Sequence, residues 1–220
     1  MALEDVLSAL KAQDEKIFKA IVEGNEYGVS KENVGGRRVL DAGANIGIFS
    51  VLAASLGAKT VLAIEPNRDS FLRLSENCRR IPSIHPLNFA VHNGLVDACD
   101  TVGEGDSCRI EPSPTGNVPA ITLCQAVSLF PRNDNNLVLK MDIEGSEFEV
   151  LYHAGGLLIR RFQTICIEIH SKDKENAKNL RMFMRLVGYE ESFAKALWWF
   201  EKSGEGVYLG QEVVQFVRSP

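Results

Sequence analysis

Residues 39–50 read VLDAGANIGIFS, a short apolar strand running into a glycine-bearing turn and then an apolar helix. That order constrains the chain to a βαβ unit whose turn is shaped for a ligand. Gly43 and Gly47 flank the turn, where a ligand must approach the backbone without meeting a Cβ and where φ can be positive. A second strand follows in VLAIEPN and ends at Glu65. A carboxylate about twenty residues beyond such a turn can accept both ribose hydroxyls of an adenosine ligand. Either half alone is a weak signal; together they point to an adenosine-bearing cofactor.

The turn also discriminates between cofactors. Dinucleotide folds use three glycines, GxGxxG, to admit a pyrophosphate at a helix N-terminus. Here the turn reads D-A-G-A-N-I-G and opens with Asp41. An acid there repels pyrophosphate but suits the sulfonium and α-amino group of S-adenosylmethionine. A nicotinamide oxidoreductase is the runner-up on this evidence.

The remaining pattern alternates strand and helix. Strands are expected at 38–41, 60–64, 87–91, 137–143 and 164–170, with helices to about Leu56 and over about 68–80, 146–154 and 172–187. Residues 119–130 read as a short strand leading into a helix, and 189–200 and 206–217 as strands closing the sheet with an antiparallel edge. This order implies an α/β fold, mainly parallel, with helices on both faces. Residues 93–119 are the least regular, with a hint of strand at 108–110, and suggest a hairpin or loop beside the site. Residues 1–35 form an N-terminal helical extension, amphipathic and broken near Gln13-Asp14, and a polar connector; 36–220 form the catalytic domain.

Composition narrows the class. A net charge of −5 disfavours a nucleic-acid partner, because phosphate binding wants a basic face. Cys78, Cys99, Cys108, Cys124 and Cys166 are odd in number and contain no CxxC pair, so reduced thiols in the cytoplasm are expected. The acidic Glu4 and Asp5 argue against a signal peptide, and no apolar run is long enough to span a bilayer.

Four segments, DAGANIG, IEPN, LKMDIEGSEFEVL and CIEIH, resemble the FkbM family of S-adenosylmethionine-dependent methyltransferases over about residues 36–190. The KxDxEGxE signature of Lys140, Asp142, Glu144, Gly145 and Glu147 is the most specific part. The resemblance implies a Rossmann-like class I fold of seven strands with one antiparallel edge strand. It also implies O-methylation of a hydroxyl on a sugar or natural product. Carried over by position, Asp41, Gly43, Asn45 and Gly47 would line the methionine end and Glu65 would hold the ribose. Asn88, Phe89 and Ala90, ending the third strand, would lie by the adenine. The chain departs from the family pattern before Gly36 and over 93–119, near where substrate is expected.

The same residues can be read directly. Alternation puts Val138, Lys140 and Asp142 on one face of their strand, and Cys166, Glu168 and His170 on one face of theirs. Buried charges need partners, so neighbouring strands would pair Lys140 with Glu168 and bring Asp142 to His170 at the carboxyl rim. His170, with Asp142 orienting it, is then the candidate general base toward an acceptor hydroxyl, and Asp142 also borders the cofactor. Rim carboxylates raise Mg2+ as an option, but capping of the helix near Ser146 by Glu144 and Glu147 is favoured and no metal is assigned. Trp198, Trp199 and Phe200 could stack on a substrate or pack the edge strand.

The expected partner is a small-molecule hydroxyl acceptor, with no membrane partner and a monomer or homodimer as the assembly. The alternatives are an RNA or protein methyltransferase and a non-catalytic cofactor-binding subunit. Against the first, no Asn/Asp-Pro-Pro-aromatic motif follows the fourth strand, which ends Asp142-Ile143-Glu144-Gly145.

Overall fold

The structure is a computed structural model that describes residues 3–103, 109–170, 174–200 and 206–219, with side chains at 174–176, 193–200 and 206–211 left undescribed. Cys108 and the side chains of Trp198, Trp199 and Phe200 lie outside the described set.

The N-terminal segment forms α1 (Leu3–Gln13), α2 (Glu15–Phe18), a π-helical turn over Lys19–Glu23, and α3 (Lys31–Val34). The break expected near Gln13-Asp14 is present, because the Asp14 side chain caps α2 by accepting the Ile17 N–H. Then follow β1 (Arg38–Ala42), α4 (Ile48–Ser55), β2 (Thr60–Ile64), α5 (Arg68–Cys78) and β3 (Ile84–Leu87). Asn67 starts α5 by accepting the N–H groups of Asp69 and Ser70. Next come β4 (Ala90–Val91), β5 (Ala98–Val102), β6 (Arg109–Pro112), β7 (Val118–Ile121) and α6 (Leu123–Ser128), the helix opened by a Thr122/Gln125 capping box. The chain finishes with β8 (Leu137–Met141), α7 (Glu147–Ile159), β9 (Phe162–His170), α8 (Lys174–Leu186), β10 (Tyr189–Phe200) and β11 (Gly206–Arg218).

Seven strands form one sheet in the order β10-β11-β9-β8-β1-β2-β3. From β9 to β3 the pairing is parallel, and β11 is antiparallel to both β9 and β10. This is the Rossmann-like class I architecture, with its antiparallel pairing confined to the β9-β11-β10 edge.

Alternation along the strands divides the core into two layers. On one face Val39, Val61 and Ala63 meet α4, α5 and the N-terminal helices through Phe49, Leu74, Val6, Leu10 and Ile21. On the other face Leu40, Leu62 and Leu139 meet α6, α7 and α8 through Leu123, Leu151 and Met184. Both faces are covered, which explains why these strands read as apolar runs. Among the described residues, no helix is long and apolar enough to cross a membrane.

One expectation is corrected here. The third strand is Ile84–Leu87 rather than 87–91. Pro86 lies within it, tolerated because β3 is an edge strand with β2 as its one neighbour. Asn88, Phe89 and Ala90 therefore follow the third strand, and Ala90 opens a separate short strand. The described residues of the irregular region 93–119, with Ala90–Val91 before it and the end of β7 after it, build a second, four-stranded sheet, β4-β7-β5-β6, around Ala90, Cys99 and Val118. The hairpin expected there is the antiparallel β5–β6 pair.

Candidate active site

The turn after β1 is closed from beneath by a charge pair. Asp41 is completely buried; its Oδ2 accepts the Ser50 hydroxyl at 2.6 Å and its Oδ1 stands 3.6 Å from Lys140 Nζ. Lys140 also donates to the Gly43 carbonyl at 2.6 Å and to Asp142 Oδ2 at 3.1 Å. Burial works against the ammonium charge, but Asp142 and Asp41 outweigh it and hold the group above its ordinary range. Asp41 thus supports the turn from below, since its carboxylate is closed off from open space.

Strand alternation pairs Lys140 with Glu168, and the register corrects this. Lys140 lies beside Asp41 on β1 and beside Cys166 on β9, so Glu168 falls two residues further along. Lys140 and Glu168 sense each other only at longer range.

Gly43 and Gly47 both have positive φ, +80° and +97°. A Cβ on Gly43 would lie 1.7 Å from the Asp142 carbonyl oxygen, so the glycine lets the β1 turn and the end of β8 cross in contact. Asn45, with φ 48°, points its backbone N–H at Glu65 Oε2, 2.8 Å away. Glu65 Oε1 accepts the Asn67 N–H, also at 2.8 Å. Burial pushes the Glu65 carboxyl up to about 7, although the two backbone N–H groups pull the other way. Asn88 turns its side-chain amide to the carbonyls of Glu65 and Pro66 at 2.8 and 3.0 Å. Phe89 is half-buried against the second core layer, while the Ala90 side chain is spent inside the small sheet.

At the carboxyl ends of β8 and β9 the expected meeting of Asp142 and His170 occurs, with Nε2 3.8 Å from Asp142 Oδ1. Nε2 also lies 3.5 Å from Glu168 Oε1 and 3.4 Å from Glu144 Oε2. Nδ1 is bound to Glu147 Oε1 at 3.0 Å. Burial opposes a charge on this ring, but the Glu147 hydrogen bond and the surrounding carboxylates outweigh it and raise His170 to about 9. Burial, then Asp142, pushes Glu168 up to about 8. The same Glu147 oxygen takes the N–H groups of Ile143 and Gly145 at 3.2 and 3.1 Å, bracing the turn in which Glu144 and Gly145 have positive φ. The KxDxEGxE pattern is therefore one connected device. Its lysine closes the first turn, its aspartate reaches the rim, and its last glutamate holds both the second turn and the histidine.

One member of the site was missed from sequence. Tyr27, 1% exposed, places its hydroxyl 3.2 Å from Asp142 Oδ2 and 3.3 Å from Glu168 Oε2. Its ring packs edge-on against Phe49, and Gln215 fastens the Tyr27 and Gly28 carbonyls at 2.9 Å. A lone aromatic residue in the polar stretch 25–36 was the available signal.

The sequence model of the Methyltransferase FkbM domain family matches residues 41–191. The chain belongs to this family. The FkbM-domain chain is also 27% identical over 135 residues to the hexuronic acid methyltransferase AglP of Haloferax volcanii, covering 60% of this chain. It spans just over half of that curated relative, 55% of its length. Among solved structures, the methyltransferase FkbM of Methylobacillus flagellatus matches with TM-score 0.52 and 16% identity, over 84% of this chain and 44% of that one. A precorrin-6y C5,15-methyltransferase from Geobacter metallireducens matches with TM-score 0.52 and 10% identity, over 89% and 85%. At those identities the structural likenesses establish the fold alone.

Membership of the family implies S-adenosylmethionine as cofactor. The donor set fits it: Glu65 stands at the carboxyl end of β2 with each oxygen holding one backbone N–H and lone pairs to spare for ribose hydroxyls.

Proposed function

We propose that this FkbM-family protein methylates a hydroxyl of a sugar or natural-product-like small molecule. The observation that carries the reading is the alignment of two sites along one rim. Glu65 and Asn45 stand at the carboxyl ends of β2 and β1, and Asp142, Glu168 and His170 at those of β8 and β9. Ligands of open α/β sheets bind at that end. AglP, whose name records a hexuronic acid as its substrate, supports a sugar-like acceptor.

In this reading Glu65 holds the ribose and the backbone of 43–47 lines the methionine end, Asp41 acting on it from beneath. Asn88 and Phe89 border the adenine, with Ala90 contributing backbone only. S-adenosylmethionine supplies an activated methyl group. The protein's work is then to align the acceptor and take its proton. Asp142 is placed to accept that proton. The role given to His170 as the base is shared with the carboxylate beside it, because Glu147 engages Nδ1 of the ring at 3.0 Å and Nε2 faces carboxylate oxygens, Asp142 Oδ1 among them at 3.8 Å. His170 keeps the rim carboxylates converged.

The proposal also divides the chain into a helical segment, 1–35, and the methyltransferase domain, 36–220. It places the protein in a reducing compartment, the cytoplasm, consistent with free thiols at Cys78, Cys99, Cys124 and Cys166. It assigns the chain no nucleic-acid partner and a monomeric or homodimeric state.

Labelled S-adenosylmethionine offered with a panel of uronic acids, glycosides, natural-product hydroxyls and RNA tests the reading. Label should appear on a hydroxyl acceptor, and Asp142→Asn, at a residue that borders both cofactor and acceptor, should lower turnover on that acceptor. Label confined to RNA, or cofactor binding without turnover on any acceptor, would move the protein to one of the two alternatives.

A further inference from the structure

We infer that Asp142, Glu168 and His170 form a binding site for one divalent first-row metal ion, of the Mn2+ or Zn2+ kind. One ligand atom from each residue lies within 4.8 Å of the other two. The separations of 3.8 and 3.5 Å from Nε2 to the two oxygens are longer than an ordinary N–H···O bond of about 2.7–3.2 Å. They are close to what separates neighbouring ligands around an ion with bonds of about 2.0–2.2 Å, which stand roughly 3–3.5 Å apart.

The histidine supplies an observation independent of the acidic cluster. Its side chain is nine-tenths buried, yet Nε2 is aimed among carboxylate oxygens with no described partner closer than the 3.4 Å to Glu144. Nδ1 is held at 3.0 Å by Glu147, itself completely buried. A carboxylate bound to the far nitrogen is how metal-ligating histidines are oriented. Tyr27 arranges the other two ligands. Its hydroxyl lies between Oδ2 of Asp142 and Oε2 of Glu168, sharing its one hydrogen between them, with Oδ1 and Oε1 on the side of Nε2.

The imidazole selects the metal class. One nitrogen and two carboxylates suit Mn2+ or Zn2+, whereas Mg2+ prefers an all-oxygen shell with several waters. The competing account is that Lys140, 3.1 Å from Asp142 Oδ2, and a proton on His170 satisfy the cluster unaided. That account predicts no metal uptake. The ion would neighbour the acceptor hydroxyl if methyl transfer occurs as proposed; that clause rests on the proposed function, and the binding itself does not.

The test uses the full chain, stripped with chelator and titrated with Mn2+ alone, free Mn2+ being followed by electron paramagnetic resonance. One Mn2+ should bind per chain, with Zn2+ displacing it and equimolar Mg2+ failing to. Glu168→Gln and His170→Ala should each weaken uptake at least tenfold, and Glu147→Gln by roughly 10- to 100-fold. Far-UV circular dichroism reports whether each variant folds, and Glu168→Gln keeps side-chain size if His170→Ala does not fold. Wild-type protein that takes up neither Mn2+ nor Zn2+, or uptake unchanged by both ligand substitutions, overturns the inference. Metal uptake without methyl transfer to any acceptor counts against the proposed function and leaves the site standing.

Discussion

The carboxylate of Glu65 accepts the backbone N–H of Asn45 at 2.8 Å, so the acid that ends β2 is fastened to the turn that follows β1. The turn and the ribose-holding acid are thereby set as one unit before any ligand arrives, which limits what must be ordered on binding. Glu65→Ala removes two charge-assisted acceptor positions for the ribose and frees the Asn45 turn. At about 1.5–3 kcal/mol for each hydrogen bond to a charged group, loss of even one should lower affinity for S-adenosylmethionine at least roughly 10- to 100-fold by calorimetry. Unchanged affinity would remove Glu65 from the cofactor site.

The same carboxyl gives a pH dependence with a definite sign. In the unfolded chain it ionises near 4.5, while in the fold burial delays ionisation to about 7. Between those values the native state binds the extra proton, so this contribution is complete below 4.5 and is lost as pH rises to about 7. Urea unfolding of the wild type should therefore lose on the order of 3 kcal/mol relative to Glu65→Gln across that window. Ribose hydroxyls donate to the ionised form, so cofactor affinity should rise through about pH 7 in the wild type and stay flat in Glu65→Gln. Parallel profiles for the two proteins would contradict both statements.

Gly43 and Gly36 share a positive φ, +80° and +73°, but differ in what a side chain would meet. Alanine at Gly43 would drive its Cβ into the Asp142 carbonyl and force β1 and β8 apart at the rim. Gly43→Ala should cost more than about 3 kcal/mol, combining backbone strain with overpacking. Alanine at Gly36 meets nothing within 4 Å and should cost only about 1 kcal/mol of conformational strain. Denaturant titration of the pair separates close approach from conformational preference.

Much of this arrangement was legible in the residues, and what was missed has a common cause. The strand Thr60–Ile64 was read with its observed ends, because a compact apolar run stops at the polar Glu65-Pro66-Asn67. Asp142 with His170 and Lys140 with Glu168 are both expected from one offset between the two strands, and the observed register makes neither pair directly opposite. Asp142 still reaches His170, 3.8 Å away at the rim, while Lys140 meets Asp41 and Asp142 instead, because alternation assigns a face and not the relative register of two strands. That register is set by where α7 delivers the chain to Phe162 and by a shift between Leu137 and Val138. Likewise, the run Leu87–Val91 looks continuous, but its two ends belong to different sheets. Alternation is local; register and sheet membership are not.

The observed register carries its own test. Lys140 is 3% exposed by side chain and faces the completely buried Asp41. Lys140→Met keeps the length and removes the charge, leaving Asp41 in the core with Ser50 as its remaining hydrogen-bond donor. Removing one partner of a buried pair typically costs about 3–5 kcal/mol. A loss of that size, largely restored in the double variant with Asp41→Asn, would mark the β1–β8 pair as the one that matters. Restoration by Glu168→Gln would favour the pairing across β8 and β9 instead.

Tyr27 shows how a residue outside the matched domain can govern the rim. The tyrosine precedes the family match at 41–191, yet its hydroxyl sits between Asp142 and Glu168 while its ring rests on Phe49. Tyr27→Phe deletes the hydroxyl and keeps the apolar contact, so stability should fall by only about 1 kcal/mol. The two carboxylates then lose the group that fixes their inward oxygens, and misplacement of that kind slows alignment-dependent chemistry. Turnover should drop about tenfold or more with cofactor affinity unchanged, because Glu65 and Asn45 lie at the other end of the rim. If turnover survives while stability falls by several kcal/mol, the tyrosine is a core residue whose hydroxyl is incidental to the chemistry.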